Sequence, residues 1–522
     1  MSLIPDEWLW IVIVGFIVAF VLAFGIGAND VANSFGTSVG AKVLTLRNAC
    51  ILATIFEISG AVLIGARVSD TMRKGIVDVT AYNGSEALLM VGSLSALSGS
   101  CVMLIGATIA GLPISATHSI VGATIGFSLV AQGTRGIGWK KLGLIIGSWF
   151  ISPIMSGLVS AVIFMIIRKL VLNNKNSLQN GLKLLPVFYG LTVFINAFSV
   201  FYDGSRLLHF DKIPIYGVII LSVGSGVIVA LIIRFFVVPR QQKAIESHVS
   251  ASQSADDTIN SSKNLITGRE ITSSEKKTTE KKLSIEDRNH NTNRKDKEMK
   301  SILLIPEYKP DMQDSIELKM DTSFLSSESA GSDESMTVEV DDPKEKHRDS
   351  IEDKPETAKL FSFLQVLTAV FGSFAHGGND VSNAIGPVVA LWIIATEGSV
   401  AQKAPTPIWI LFFGGVGISV GLCILGRRVM KTIGEDLSKI TPSSGFCIEI
   451  GAALTVLVAS NAGIPISTTH CKVGSIVSVG RVRSNENVDW KLFKNIILAW
   501  LVTLPIAGGV SAAVMAGLRE LI

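Results

Sequence analysis

The sequence predicts an all-α polytopic membrane protein made of two homologous halves in inverted topology, with broken or re-entrant helices and roughly 10–12 membrane segments. Three observations predict it. The 522 residues are 48% hydrophobic and only 17% charged, with a mean hydropathy of +0.48, whereas soluble domains carry about 25% charged residues. Apolar runs at Trp8–Ile26, Ala49–Ala66, Leu142–Ile167, Ile213–Val238, Ile408–Leu425 and Phe493–Leu518 match the roughly 20 residues a helix needs to cross bilayer hydrocarbon. Finally, two polar phrases each occur twice, in the same order. Gly27-Ala28-Asn29-Asp30-Val31-Ala32-Asn33-Ser34 returns as Gly377-Gly378-Asn379-Asp380-Val381-Ser382-Asn383-Ala384, and Pro113-Ile114-Ser115-Ala116-Thr117-His118 returns as Pro465-Ile466-Ser467-Thr468-Thr469-His470. Asp30 precedes His118 by 88 positions (118 − 30) and Asp380 precedes His470 by 90 (470 − 380), a spacing that marks an internal duplication. A looser echo joins Trp149…Pro153…Gly157 to Trp500…Pro505…Gly508.

In chain order, Trp8–Ile26 has no basic flank before it and no Ala-x-Ala site after it, so it is expected to be retained rather than cleaved as a signal. After the second apolar run, Asn83-Gly84-Ser85 is a glycosylation sequon, which places that polar segment outside the cell. Counting back puts the N-terminus outside and Lys42–Arg47 inside, in line with the positive-inside tendency. Counting forward, Glu86–Leu112, Ile114–Ala131, Leu142–Ile167, Leu184–Tyr202 and Ile213–Val238 each cross once, unless the Pro-Ile-Ser segments are re-entrant hairpins. Arg135, Lys140 and Lys141 then lie outside, against the tendency. Residues 1–238 form the first membrane half. Residues 239–358 are rich in Ser, Lys, Glu, Asp and Thr, cannot bury enough apolar area to order themselves, and are expected to form a cytosolic, largely disordered loop. It reads either as a regulatory platform around Ser326–Ser335 or as a solvated tether, and it keeps the Asn260 sequon away from glycosylation. The second half, 359–522, then starts from the opposite face, which is the inverted-repeat plan of secondary transporters with substrate held at the repeat interface. The five cysteines show no metal-ligand spacing and read as small core residues.

The chemistry concentrates in the repeated phrases. A carboxylate and carboxamides closing a membrane-length helix would be rejected by lipid and are expected to face a polar cavity. Asn29, Asp30, Asn379 and Asp380 supply hard oxygen ligands for a small cation; the alternative is that both aspartates merely cap broken helices. In the Pro-Ile-Ser phrases, proline suits a first helical turn and Ser or Thr its cap. Free amide hydrogens, the positive end of the helix and the hydroxyls of Ser115, Thr117, Ser467, Thr468 and Thr469 together suit a tetrahedral oxyanion such as phosphate; hydroxyl glue between helices is the plainer alternative. Glu57 and Glu449 lie within apolar runs with no basic neighbour in sequence, so each needs a proton, a metal ion or a cation from elsewhere in the fold. Their distances to the downstream serine, 58 (115 − 57) and 18 (467 − 449), show that they are not repeat mates. His118 and His470 read as structural histidines donating to carbonyls, Lys472 as a counter-charge to a carboxylate, and Arg67 and Arg427 as interfacial anchors. A lone anion entering a cell works against the potential by about 2.3 kcal/mol per 100 mV, and two co-bound sodium ions reverse that sign. No Gly-x4-Gly-Lys-Ser/Thr loop or nucleophile constellation is present, so neither an ATP-driven pump nor an enzyme is expected.

At these residues the sequence resembles the inorganic phosphate transporter family, the sodium–phosphate symporters. Gly27–Ser34 and Gly377–Ala384 match its duplicated signature and the paired Pro-Ile-Ser-x-Thr-His segments its second motif, so the resemblance covers both membrane halves. It implies electrogenic import of monovalent phosphate with co-transported sodium ions in a plasma-membrane protein embedded in lipid. Asn29, Asp30, Asn379 and Asp380 would serve sodium. Ser115, Thr117, Ser467, Thr468 and Thr469 would hold phosphate, and Glu57 and Glu449 would be essential for transport. Animal members double as retrovirus receptors, so viral envelope protein is a partner class by resemblance alone; a homodimer stays open, and no nucleic-acid partner is expected. Ala116 stands where the second copy has Thr468, so the half-sites need not contribute equally. Two rivals remain: proton-coupled symport with Glu57 or Glu449 as carrier, and a non-transporting receptor or phosphate sensor.

Overall fold

The computed structural model describes residues 4–202, 210–247, 351–431, 436–485 and 487–522. Each long apolar run is helical there, and among the described residues ten helices are long and apolar enough to cross a membrane. The first half contains α1 (Asp6–Asp30), α2 (Ala32–Gly40), α3 (Leu46–Lys74), α4 (Glu86–Ile109), α5 (Ala116–Gln132), α6 (Trp139–Ile167), α7 (Ser177–Phe201) and α8 (Ile215–Ile232). The second contains α9 (Pro355–Glu397), α10 (Ile408–Leu425), α11 (Arg427–Lys431), α12 (Pro442–Asn461), α13 (Thr468–Arg483) and α14 (Trp490–Leu518). Beyond α8 the helical run continues to Ser247, past the expected boundary at 238. Ser326–Ser335 and Asn260 lie outside the described residues.

Single crossings by 86–112 and 114–131 are not what the chain forms. α4 and α5 pack against each other across the 110–115 connection, as do α12 and α13 across their own. Gly111 (φ +69°) and Gly463 (φ +66°) turn the two tips through the left-handed region that glycine alone adopts without strain. An antiparallel bridge, Val77 to Ile137, joins the stretch before α4 to the stretch after α5, and Ser438 to Val488 repeats it around α12 and α13. The ends of each pair therefore meet at one face, and both pairs are re-entrant hairpins. At 17 and 16 residues, α5 and α13 span about 25 Å, short of the bilayer core. Replacing two crossings by none preserves their parity, so the inverted relation of the halves survives.

The halves interlock. α3 lies along α9 and its mate α10 lies along α1; α5 packs on α14 and its mate α13 on α6. Each interface thus exists twice with the halves exchanged. Glycines set the separation: a Cβ on Gly27 would sit 1.7 Å from the Ile418 carbonyl oxygen, and one on its mate Gly377 would sit 2.2 Å from that of Glu57. One element breaks the symmetry. α1 is interrupted at Val31 before α2 resumes, whereas α9 runs unbroken through Asn379-Asp380 for 43 residues. Exposed apolar side chains such as Phe150, Ile154, Ile220, Phe235 and Leu501 cover the outer faces of α6, α14 and the α8 run, as a lipid-facing surface requires.

Candidate ion and oxyanion site

Both hairpin tips converge on the Asn-Asp phrases. Ser115 and Ser467 cap α5 and α13, accepting hydrogen bonds from the His118 and His470 amides at 3.3 and 3.1 Å. The proline of each phrase lies two residues before its cap rather than in the first turn, so it fixes the approach to the helix. Asn29 is seated in the first tip: its amide donates to Thr108 Oγ1 (3.2 Å) and Leu112 O (3.0 Å), and its Oδ1 accepts from the Ile114 amide (3.1 Å). Asn379 repeats part of this with Ser460, the mate of Thr108, at 2.9 Å.

The tips are also tied to each other by equal and opposite bonds. Thr117 donates to Ile466 O at 3.1 Å, and Thr469 donates to Ile114 O at 3.2 Å. Asp30 accepts from the Ala116 amide (3.3 Å) and Thr469 (3.4 Å), while Asp380 accepts from Thr468 (2.5 Å) and Asn383 (2.7 Å). Carboxylate oxygens of Asp30 and Asp380 and a ring nitrogen of His376 all lie within 4.8 Å of one another. All three residues are 2% exposed or less. Two carboxylates cannot stay this close in a dry interior without added positive charge. Asn379 Oδ1 and Asn383 Oδ1 are buried with no hydrogen-bond partner among the described residues. The orphaned Asn383 oxygen, on a side chain whose amide bonds Asp380, joins the two carboxylates in a donor set suited to a small hard cation.

Of the expected residues, Asn29, Asp30, Asn379, Asp380, Ser115, Thr117, Ser467, Thr468 and Thr469 are thus gathered at one place. Glu57 joins through a residue that sequence reasoning missed. His376 Nδ1 lies 2.8 Å from Glu57 Oε2 and its Nε2 lies 3.1 Å from Asp380 Oδ2, while Ser373 donates to Glu57 Oε1 at 2.8 Å. His376 stands four residues before Asp380, on the same helix face; that spacing was the available signal. Glu449 is held apart by three further missed hydroxyls, Thr37 (2.5 Å), Ser38 (2.7 Å) and Thr368 (2.6 Å). It shares a small cavity with Lys472, Thr468 and His376, which brings Lys472 to the same cavity as a carboxylate without a direct ion pair. His470 fulfils its structural role through Nδ1 to Trp149 O at 3.1 Å. Arg67 does not anchor to an interface: its guanidinium donates to Asn461 O at 2.6 Å, at the second hairpin tip. All five cysteines are free. Asn83 is exposed, in the turn between α3 and α4.

A helical membrane protein with interlocked inverted repeats, whose polar centre lies between two re-entrant tips, defines the class of secondary transporters. This chain belongs to the phosphate transporter family, which matches residues 26–511. It is 44% identical to sodium-dependent phosphate transporter 1-B of Danio rerio, over 98% of this chain and 95% of that one. It is 41% identical to sodium-dependent phosphate transporter 1 of Homo sapiens, over 99% and 97%. A solved structure described as the sodium-dependent phosphate transporter matches with a TM-score of 0.72 at 31% identity, covering 98% of this chain and 100% of that one.

Proposed function

We propose that the protein imports monovalent inorganic phosphate together with sodium ions, electrogenically and by alternating access. The observation that carries this reading is the meeting of Asp30 and Asp380, from opposite repeats, with His376 within 4.8 Å, beneath the N-termini of α5 and α13. Sodium takes the aspartate carboxylates with the carboxamide oxygens of Asn379 and Asn383, and Asn29 positions the first tip. Phosphate takes the two helix N-termini. Ser115 and Ser467, whose oxygens already accept amides, turn their own hydrogens to the oxyanion. Thr117, Thr468 and Thr469 add donors as their present bonds exchange. Bound cations offset the carboxylates and the anion together, which couples the two loads. Glu57 acts by holding His376, and Glu449 by countering the charge of Lys472 in their shared cavity. The proposed arrangement places the N-terminus and a glycosylated Asn83 outside a plasma membrane and the 239–358 segment in the cytosol, between membrane halves 1–238 and 359–522.

The linked Glu57–His376–Asp380 geometry supports one second reading, proton-coupled phosphate symport. Radiolabelled phosphate uptake by purified protein in liposomes separates them. Replacing sodium by choline abolishes uptake under the first reading and leaves it intact under the second, and accumulation that is absent under every ion gradient overturns both.

A further inference from the structure

A cavity of about 670 Å³ opens beside the second hairpin tip, between the end of α3 and the 403–408 segment. Five charged side chains line it: Arg67, Asp70, Arg73, Lys74 and Lys403. Two of these cancel. Asp70 Oδ1 accepts from Arg73 Nε and Nη2 at 3.0 and 2.8 Å and from Thr406 at 3.1 Å, and the rest of the Arg73 guanidinium donates to Gln402 O and Ala404 O. Nearby Glu397 accepts the Lys403 and Ala404 amides and shapes that loop. Asp70 and Glu397 offset two of the four cations around the cavity, so this concave surface keeps a net positive charge, an arrangement that concentrates anions.

Asn461, where α12 enters the tip of the second hairpin, lines this cavity, and α3 holds that tip. Arg67 donates to Asn461 O at 2.6 Å, Thr71 donates to Gly463 O at 2.7 Å, and Ser199 donates to Asn461 Oδ1 at 3.2 Å. Asn461 follows Ser460, the residue that receives Asn379 of the central site. Ile64, one turn deeper on α3 than Arg67, lines the cavity on one side and touches Gly378 on the other.

We propose that this cavity is a staging site for a tetrahedral oxyanion, separate from the central site, with Arg67 linking the two. An oxyanion held by Lys74 and Lys403 reaches the Arg67 guanidinium and competes with Asn461 O for it, because a charge-assisted bidentate pair outweighs one bond to a neutral carbonyl. Loss of that bond removes one of the three that hold the tip in place and loosens the path to Asn379 and Asp380. The proposal rests on the phosphate reading of the central site and adds an approach step to it.

The test is thiol labelling of the full chain in liposomes, with Ile64→Cys as reporter and Cys50, Cys101 and Cys423 replaced by serine. Cys447 and Cys471 are fully buried and stay. An impermeant maleimide is applied to each face in turn, in sodium-free choline buffer, with inorganic phosphate or with chloride at matched ionic strength. Phosphate is expected to slow labelling from one face several-fold more than chloride does. Lys74→Gln with Lys403→Gln removes that protection, and Arg67→Lys, which loses the bidentate grip, weakens it while raising the unprotected rate. Protection equal to that of chloride, protection that appears only with sodium, or protection unchanged by the double variant overturns the proposal. Each variant is compared at matched elution in size-exclusion chromatography, so misfolding is scored separately. The readout needs no flux: its failure leaves phosphate import standing, and failure of import leaves the protection result standing.

Discussion

His376 stands between two residues from opposite halves, hydrogen-bonded through Nδ1 to Glu57 at 2.8 Å and with Nε2 3.1 Å from Asp380 but outside hydrogen-bond geometry. His376→Gln is expected to lower sodium-dependent phosphate uptake at least tenfold while surface amount, read by biotinylation, stays at the parental level; uptake near the parental rate would remove the histidine from the site. Thr468 donates a 2.5 Å bond to Asp380, and a hydrogen bond to a charged group contributes about 1.5–3 kcal/mol. In the proposed import Thr468 exchanges this bond for one to the oxyanion, so Thr468→Val should raise the phosphate concentration for half-maximal uptake about tenfold or more, and a phosphate titration at fixed sodium measures it. Asp380 was legible in the sequence because duplication marked it, and Thr468 because it lies inside the repeated Pro-Ile-Ser phrase although its counterpart is Ala116. His376 was not, because Ile26 stands at its place in the first copy. Thr37, Ser38 and Thr368 look like ordinary helix hydroxyls until Glu449, more than four hundred positions from the first two, arrives beside them.

The helices themselves interlock through contacts that admit no side chain. A Cβ on Gly27 or Gly377 would meet main-chain atoms at 1.7 or 2.2 Å, whereas one on Gly143 meets nothing within 4 Å. Gly27→Ala and Gly377→Ala must separate α1 from α10 and α3 from α9, at a cost of about 1–3 kcal/mol or more, and Gly143→Ala should stay within about 0.5 kcal/mol of the parent. Thermal unfolding in detergent distinguishes them, and equal melting of all three variants would refute the packing argument. The existence of these helices was readable from hydropathy. Re-entrance of the two Pro-Ile-Ser hairpins stood there only as an alternative to single crossings, because an apolar hairpin arm and a short crossing helix have the same composition. What separates them is the pair of bridges Val77–Ile137 and Ser438–Val488, which join segments that no local pattern relates.

For the molecule as a whole, the preserved parity of crossings gives a topological prediction. Asn83→Gln should remove a glycosidase-sensitive shift in gel mobility when the protein is expressed in cells that glycosylate, and Asn260→Gln should leave mobility unchanged; the reverse pattern would turn the chain over in the membrane. The duplication made the two-half plan legible, but it concealed a mechanical link within the second half. α9 has 43 residues and, at 1.5 Å per residue, is about 65 Å long, well beyond the thickness of a bilayer. Just before it, Asp353 accepts hydrogen bonds from Ser443 and Arg483 of the second hairpin at 2.8 and 2.9 Å. From Pro355 to Asp380 the rod contains no break and no internal proline, while in the first copy the regular ladder lapses for one residue at Val31, whose backbone keeps helical angles (φ −67°, ψ −18°). A displacement applied at the root of α9 is therefore carried to Asp380 along one continuous helix, which ties the base of the second hairpin to that carboxylate.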